Sequence, residues 1–171
     1  MRCVISLVAV SLAAQTLVLA AEPPIAATTK ANYSIAGLHC PPCTRTVESS
    51  LQKVKGVKTA TVDWNTKTAK VEFDESVLPA AKLAQSIAAT PHMMGGGMHY
   101  TGWLSLKVSE LKDDVSAAKV KTAIESQKGV KRVVAYPVQH AVNVEFTADG
   151  KVTTQQLIDA VKEVGLVATT N

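Results

Sequence analysis

Two cysteines separated by two residues are the part of this sequence best suited to chemistry. They are Cys40 and Cys43, within residues 37–43 (GLHCPPC). Thiols at this spacing can bind one soft metal ion together, or can close into a disulfide. A position at the amino end of a helix favours the thiolate over the thiol, because the helix dipole is positive there. The motif therefore predicts either soft-metal binding or thiol redox chemistry.

The flanking patterns predict the elements that position these cysteines. Residues 32–36 alternate as a strand, and Val47, Leu51 and Val54 mark one face of a helix over residues 44–54. Neither Pro41 nor Pro42 has an N–H, and each biases the residue before it toward extended backbone. We therefore expect the helix to begin at or after Pro42.

The chain contains an internal repeat with a shift of 73 residues. Residues 55–58 (KGVK) recur at 128–131, and residues 71–73 (VEF) recur at 144–146. Each copy has the pattern strand, helix, strand, strand, helix, strand, which predicts a four-stranded antiparallel sheet with both helices on one face. We therefore predict an α+β protein of two tandem ferredoxin-like βαββαβ sandwiches, with domains at 32–102 and 103–171.

The second copy has no cysteines at the aligned position. Asp113 takes the place of Cys40, and Ser116 takes the place of Cys43. A soft-metal site is therefore not expected there. Asp113 and Asp114 could form a hard-cation site, but carboxylates at a helix start are more often caps, and we expect caps.

Methionines and histidines cluster in residues 91–100 (PHMMGGGMHY), between the second helix and the fourth strand of the first copy. In the predicted topology this loop and the cysteine loop lie at the same edge of the sheet. Thioethers and imidazoles bind Cu(I) and Ag(I), and three glycines let the loop turn its side chains toward one ion. The alternative is a flexible loop whose methionines cover apolar surface. The candidate ligands in the loop are His92, Met93, Met94, Met98 and His99. The neighbouring His39 is expected to face solvent.

The amino terminus predicts export. Arg2 precedes an apolar stretch at residues 3–20, and small residues follow, which is typical of a signal peptide over 1–21. Residues 22–31 are then expected to be a flexible segment. The alternative is an uncleaved membrane anchor. A periplasmic or secreted location would be oxidising. The formal net charge of +4 is small and scattered, so nucleic-acid binding is not expected.

The first copy resembles the heavy-metal-associated domain family. The resemblance lies in a strand, the motif at 37–43, a helix, and a Lys-Gly-Val before the second strand. The family includes copper chaperones, the amino-terminal modules of copper-pumping ATPases and an exported mercury-binding protein. Leu38 stands where the family usually has Met, and Pro41 and Pro42 also depart from its pattern. The resemblance implies that Cys40 and Cys43 are the metal ligands.

Together, these features predict a binding protein and not an enzyme. We expect it to hold Cu(I) through Cys40 and Cys43, assisted by the loop at 91–100, and to buffer the ion or pass it on, with a membrane metal pump or sensor as a possible partner. Hg(II), Ag(I) and Zn(II) remain alternatives, although two cysteines fall short of the four ligands of a closed zinc site. The other class of function left open is a thiol–disulfide oxidoreductase. The oligomeric state is not predicted.

Overall fold

The computed structural model describes residues 28–170 and has an α+β architecture. The predicted signal peptide and the first part of the predicted flexible segment lie outside the described residues. Within the described part of the chain, no helix is long and apolar enough to cross a membrane. The elements are β1 (Thr28–Ala36), α1 (Pro41–Gln52), β2 (Val57–Asp63), β3 (Thr68–Asp74), α2 (Ala80–Ala89), β4 (Thr101–Val108), α3 (Asp114–Glu125), β5 (Val130–Tyr136), β6 (Ala141–Phe146), α4 (Thr154–Glu163) and β7 (Ala168–Thr169).

The strands form one antiparallel sheet in the order β2-β3-β1-β4-β6-β5, and β7 also pairs with β4. The central strand is β4. Its first half pairs with β1, from Thr101 opposite Ala36 to Ser105 opposite Asn32, while Leu104 to Lys107 pair with β6. The α+β prediction is confirmed, but the prediction of two separate four-stranded sheets is wrong. One strand joins both halves of the chain, and the predicted boundary after Gly102 falls inside it.

Alternating side chains explain how β1 is anchored. Ala31, Tyr33 and Ile35 are buried, as expected for a strand with one face on the core. Pairing with β3 extends back to Thr28, which lies opposite Asp74. The prediction that residues 22–31 are flexible is therefore wrong for residues 28–31. The edge of β3 was available, and pairing there satisfies backbone groups that would otherwise need water.

The second helix packs closely on the shared strand at Gly102. A Cβ at this glycine would lie 2.7 Å from Cδ1 of Ile87 and 3.2 Å from Cα of Ala84. Any larger side chain would push α2 away from the sheet. Gly102 thus sets the distance between α2 and the sheet. That distance determines where the loop after α2 begins.

Three connections lie together at one end of the sheet, where β1 ends and β4 begins. They are the β1–α1 loop with the cysteines, the tip of the β2–β3 hairpin, and the loop between α2 and β4. The antiparallel order requires this arrangement, because β1 ends where β4 begins.

Candidate metal centre

The cysteine loop begins with a glycine in a conformation that other residues rarely adopt. Gly37 has a φ of +91°, and a Cβ there would lie 2.3 Å from the carbonyl oxygen of His99. Only glycine allows both this turn and this close approach. The turn directs the chain from β1 into α1 and brings the far end of the loop at 91–100 against the cysteine loop.

The first turn of α1 accommodates both prolines. Cys40 is the N-cap in extended backbone, Pro41 and Pro42 occupy the first helical positions, and the Cys43 N–H donates to the Cys40 carbonyl at 3.0 Å. The prediction that the helix begins at or after Pro42 is wrong by one residue. Proline fits at the first turn because amide hydrogens there have no partner within the helix.

Cys40 and Cys43 form a disulfide, with Cα atoms 5.4 Å apart. Cys43 has no exposed surface and belongs to the core, beside Val47 and Leu51 on the inner face of α1. Cys40 is half-buried. The disulfide itself offers no thiolate, so metal binding at this pair requires its reduction. After reduction, Cys40 would be the more accessible of the two thiols.

The loop at 91–100 lies directly beside the cysteine loop, as predicted. The His92 Nε2 atom is 3.0 Å from the Gly37 carbonyl oxygen. The ring centroid of His92 is 5.7 Å from that of His39 and 4.6 Å from that of Tyr100. These contacts bring residues 55 positions apart in the chain to one end of the molecule.

The candidate ligands in this loop differ in their surroundings. His92 is half-buried, and its Nδ1 lies 3.2 Å from the Met94 N–H, so both ring nitrogens have protein partners. The methionine side chains face solvent, with 57%, 59% and 43% of the surface exposed for Met93, Met94 and Met98, and His99 is also exposed. His39 is exposed, as expected. Across residues 28–170, no three His, Cys, Asp or Glu side chains form a group that could hold a metal.

Two aromatic residues at this end were not singled out from the sequence. Tyr100 is buried, and its hydroxyl has no hydrogen-bond partner among the described residues. Its place at the end of a Met/His segment and the start of an alternating strand could have marked it as the residue that closes the loop. Trp64, at the β2–β3 turn, has the Lys67 ammonium 2.6 Å from its ring centroid. A shallow groove at this end is lined by Pro41, Pro42, Thr44, Arg45, Val62 and Trp64.

The aligned position of the second half is a helix cap. The Asp113 carboxylate accepts from the Ser116 N–H at 2.7 Å, and the Ser116 side chain completes a capping box. The hydrogen bond from the Ser116 backbone lowers the pKa of Asp113. The predicted capping role of Asp113 is confirmed. This helix starts at the opposite edge of the sheet from the cysteines, because β4 runs antiparallel to β1.

Comparisons with known proteins give consistent results. The heavy-metal-associated domain profile matches residues 32–92. The mercuric transport protein periplasmic component of an Alcaligenes species is 34% identical over 74 residues, which cover 43% of this chain and 81% of that protein. The copper-transporting ATPase HMA5 of Oryza sativa subsp. japonica is 28% identical over 118 residues, or 67% of this chain. That alignment spans only 12% of the ATPase.

Among solved structures, the N-terminal soluble domains of Bacillus subtilis CopA are similar over 86% of this chain and 96% of that one, at 17% identity and a TM-score of 0.42.

Proposed function

This chain belongs to the heavy-metal-associated domain family, and we propose that it is an exported binding protein for Cu(I), which it buffers or passes on. The observation that carries the proposal is the pair Cys40 and Cys43 at the start of α1, with the loop at 91–100 (the Met/His loop) packed beside it. Two thiolates at the start of a helix form a low-coordinate soft-metal site. The accessible Cys40 and the buried Cys43 suit an ion that must enter and leave from one side.

Copper is favoured over mercury by the loop. Hg(II) is satisfied by the two thiolates alone, whereas thioether and imidazole groups are natural additional ligands for Cu(I). Met93, Met94, Met98 and His99 lie on a loop that already contacts the cysteine loop. Ag(I) has the same ligand preferences as Cu(I) and is expected to compete for the site. Zn(II) is disfavoured, because a closed zinc site takes four ligands.

Loading requires a change of redox state. The disulfide must take up two electrons and two protons, which a dithiol reductant can supply while it becomes a disulfide itself. Binding of Cu(I) then displaces the thiol protons. In an exported, oxidising location the bound ion would also protect the pair from reoxidation. Metal binding and thiol oxidation thus compete for the same two sulfur atoms.

The second half is proposed to be a duplicated unit that has lost the metal site and serves as a structural or docking unit. The sequence repeat and the matching element order on either side of β4 support this duplication. A membrane metal pump or sensor is the proposed partner, since a copper-transporting ATPase is among the relatives.

A thiol–disulfide oxidoreductase is the second candidate. The observation in its favour is the disulfide itself, with the half-buried Cys40 at a helix start and Cys43 enclosed in the core. This function predicts turnover of a mixed disulfide without metal. Measuring the reduction potential and activity on such a substrate separates the two functions.

The test is an anaerobic Cu(I) titration of the reduced chain against a chromophoric chelator. Three variants accompany the wild type: Cys40→Ser with Cys43→Ser, a loop variant with Met93, Met94 and Met98 changed to Leu, and His140→Gln as a control at an exposed histidine of the second half.

We expect one tight equivalent in the wild type and the control, loss of that equivalent in the cysteine variant, and at least tenfold weaker binding in the loop variant, about one ligand's contribution. Hg(II) affinity should be equal in the wild type and the loop variant. Equal Cu(I) affinity in the wild type and the cysteine variant would overturn the proposal.

A further inference from the structure

One histidine of the Met/His loop is bound on both sides by the protein itself. A carbonyl oxygen can only accept, so the contact at 3.0 Å requires that His92 carry its hydrogen on Nε2 and donate it to Gly37. The other nitrogen, Nδ1, is then free to accept the Met94 N–H at 3.2 Å. A metal at either nitrogen would have to displace one of these bonds.

The His92 ring also has two aromatic neighbours. Tyr100 packs on it at 4.6 Å and an interplanar angle of 30°, and His39 lies at 5.7 Å. Tyr100 is itself buried, so His92 rests on a fixed support. His92 is half-buried, in contrast to the other four candidate ligands of the loop, which are exposed.

The glycine segment of the loop is under little steric restraint. Gly95 and Gly97 have φ values of +98° and +92°, and a Cβ at Gly95, Gly96 or Gly97 would meet no atom within 4 Å. Three consecutive glycines in open space impose little barrier to rearrangement. Met98 follows the glycines, so its thioether can shift while His92 stays in place. The backbone of Met94 is held by His92, but its side chain is exposed and can still change rotamer.

From this geometry we infer that His92 is a positioning residue and not a metal ligand. It fastens the Met/His loop to the carbonyl of Gly37, the first residue of the cysteine loop, and leaves the thioethers and His99 free to approach the ion. The inference rests on the proposed function and assigns different roles within the same site. It gives His92 a role different from the ligand role predicted from the sequence.

Three substitutions at one position separate the two roles. Glutamine places an N–H near the position of Nε2 and can keep the bond to Gly37. Asparagine reaches only the position of Nδ1, and alanine removes both bonds. None of the three side chains is a good ligand for Cu(I). If His92 is a ligand, all three variants should lose the same amount of Cu(I) affinity. If His92 positions the loop, His92→Gln should keep the affinity of the wild type.

The experiment has a metal-free and a metal-bound arm, both on the full reduced chain. The first arm records methyl relaxation of Met93, Met94 and Met98 by NMR. We expect faster local motion in His92→Ala and His92→Asn, and wild-type behaviour in His92→Gln and in the control His140→Gln. The second arm measures Cu(I) affinity and the numbers of sulfur and nitrogen neighbours by X-ray absorption. We expect His92→Gln to bind within about threefold of the wild type with an unchanged ligand set, and His92→Ala to bind roughly tenfold more weakly, because ordinary hydrogen bonds hold the loop.

Equal loss of affinity in all three variants, with one nitrogen neighbour removed, would overturn the inference and leave the proposed function intact. Unchanged methyl motion in His92→Ala would also overturn it. If the wild type itself binds no Cu(I), the proposed function fails, and the metal-free arm still decides whether His92 fastens the loop.

Discussion

At the level of single residues, the two cysteines have different environments although they are close in sequence. The first turn of α1 carries Cys43 onto the inner face of the helix, where no surface is exposed, while Cys40 stays at the cap, half-buried. The prolines between them hold this turn without using amide hydrogens. At the proposed metal site, an ion would therefore enter and leave on the side of Cys40.

Gly37 gives the sharpest prediction at this scale. Changing Gly37→Ala should lower the free energy of unfolding by about 2 kcal/mol or more, because a left-handed backbone costs an alanine about 1–2 kcal/mol and the new methyl would also clash with the His99 carbonyl oxygen. Urea-induced unfolding measures this change. The matched control is Gly96→Ala, where a Cβ meets nothing within 4 Å and φ is not left-handed. A result in which both variants unfold alike would contradict the prediction.

At the level of elements, one buried hydroxyl joins β1 to α2. Tyr33 is completely buried, and its hydroxyl donates to the Ala80 carbonyl at 2.9 Å, at the start of α2. Burial, assisted by the nearby Glu75 charge, raises the pKa of Tyr33 well above its ordinary value of 10.0. The helix that leads into the Met/His loop is thus fastened to the strand that leads into the cysteine loop.

The raised pKa predicts how stability depends on pH. The unfolded chain releases the Tyr33 proton near pH 10 but the folded chain does not, so the stability contributed by the neutral hydroxyl is present below about pH 10 and is lost as pH rises toward the folded pKa. We expect Tyr33→Phe to be about 1 kcal/mol less stable than the wild type at pH 8, because one buried hydrogen bond is lost.

That deficit should shrink above pH 10, at up to about 1.4 kcal/mol per pH unit. Urea unfolding at pH 8, 10 and 11 measures it, and a constant difference across this range would argue against the assignment.

At the scale of the whole molecule, β4 makes the two halves one structure. Leu104 is fully buried and lies opposite Tyr33 of β1 on one side and Val144 of β6 on the other. Additional bonds cross between the halves, from the Gln85 side chain to the carbonyls of Thr147 and Gly150. The second half, which has no cysteines, therefore stabilises β4, the strand that completes the sheet of the first half.

Removing the Leu104 side chain should weaken both halves together. We expect Leu104→Ala to lose about 2–5 kcal/mol, as large buried side chains do, and to show coincident unfolding at amide signals from Val71 in β3 and Val133 in β5. The exposed Lys107→Ala on the same strand is the control and should change stability by less than about 0.5 kcal/mol. Separate transitions for the two signals would show that the halves unfold independently.

Local patterns in the sequence were sufficient for several of these features. Residues 32–36 lie in β1, as the alternation of their side chains predicted, and the Asp113 cap agrees with its place before a helix. Each of these depends on residues within a few positions of one another, so composition and spacing determine them. The neighbouring position of the cysteine and Met/His loops also followed from the order of the elements, because that order fixes which connections share an edge.

Only the tertiary structure decided the remaining features. Which strand edges pair is a choice among distant segments, so the sequence pattern did not reveal that β4 joins two sheets into one or that β1 begins at Thr28. The same holds for the contact of His92 with the Gly37 carbonyl, which joins two loops 55 residues apart in the chain. Residue types and their order therefore determined the chemistry available to this protein, whereas long-range packing determined which groups remain free to perform it.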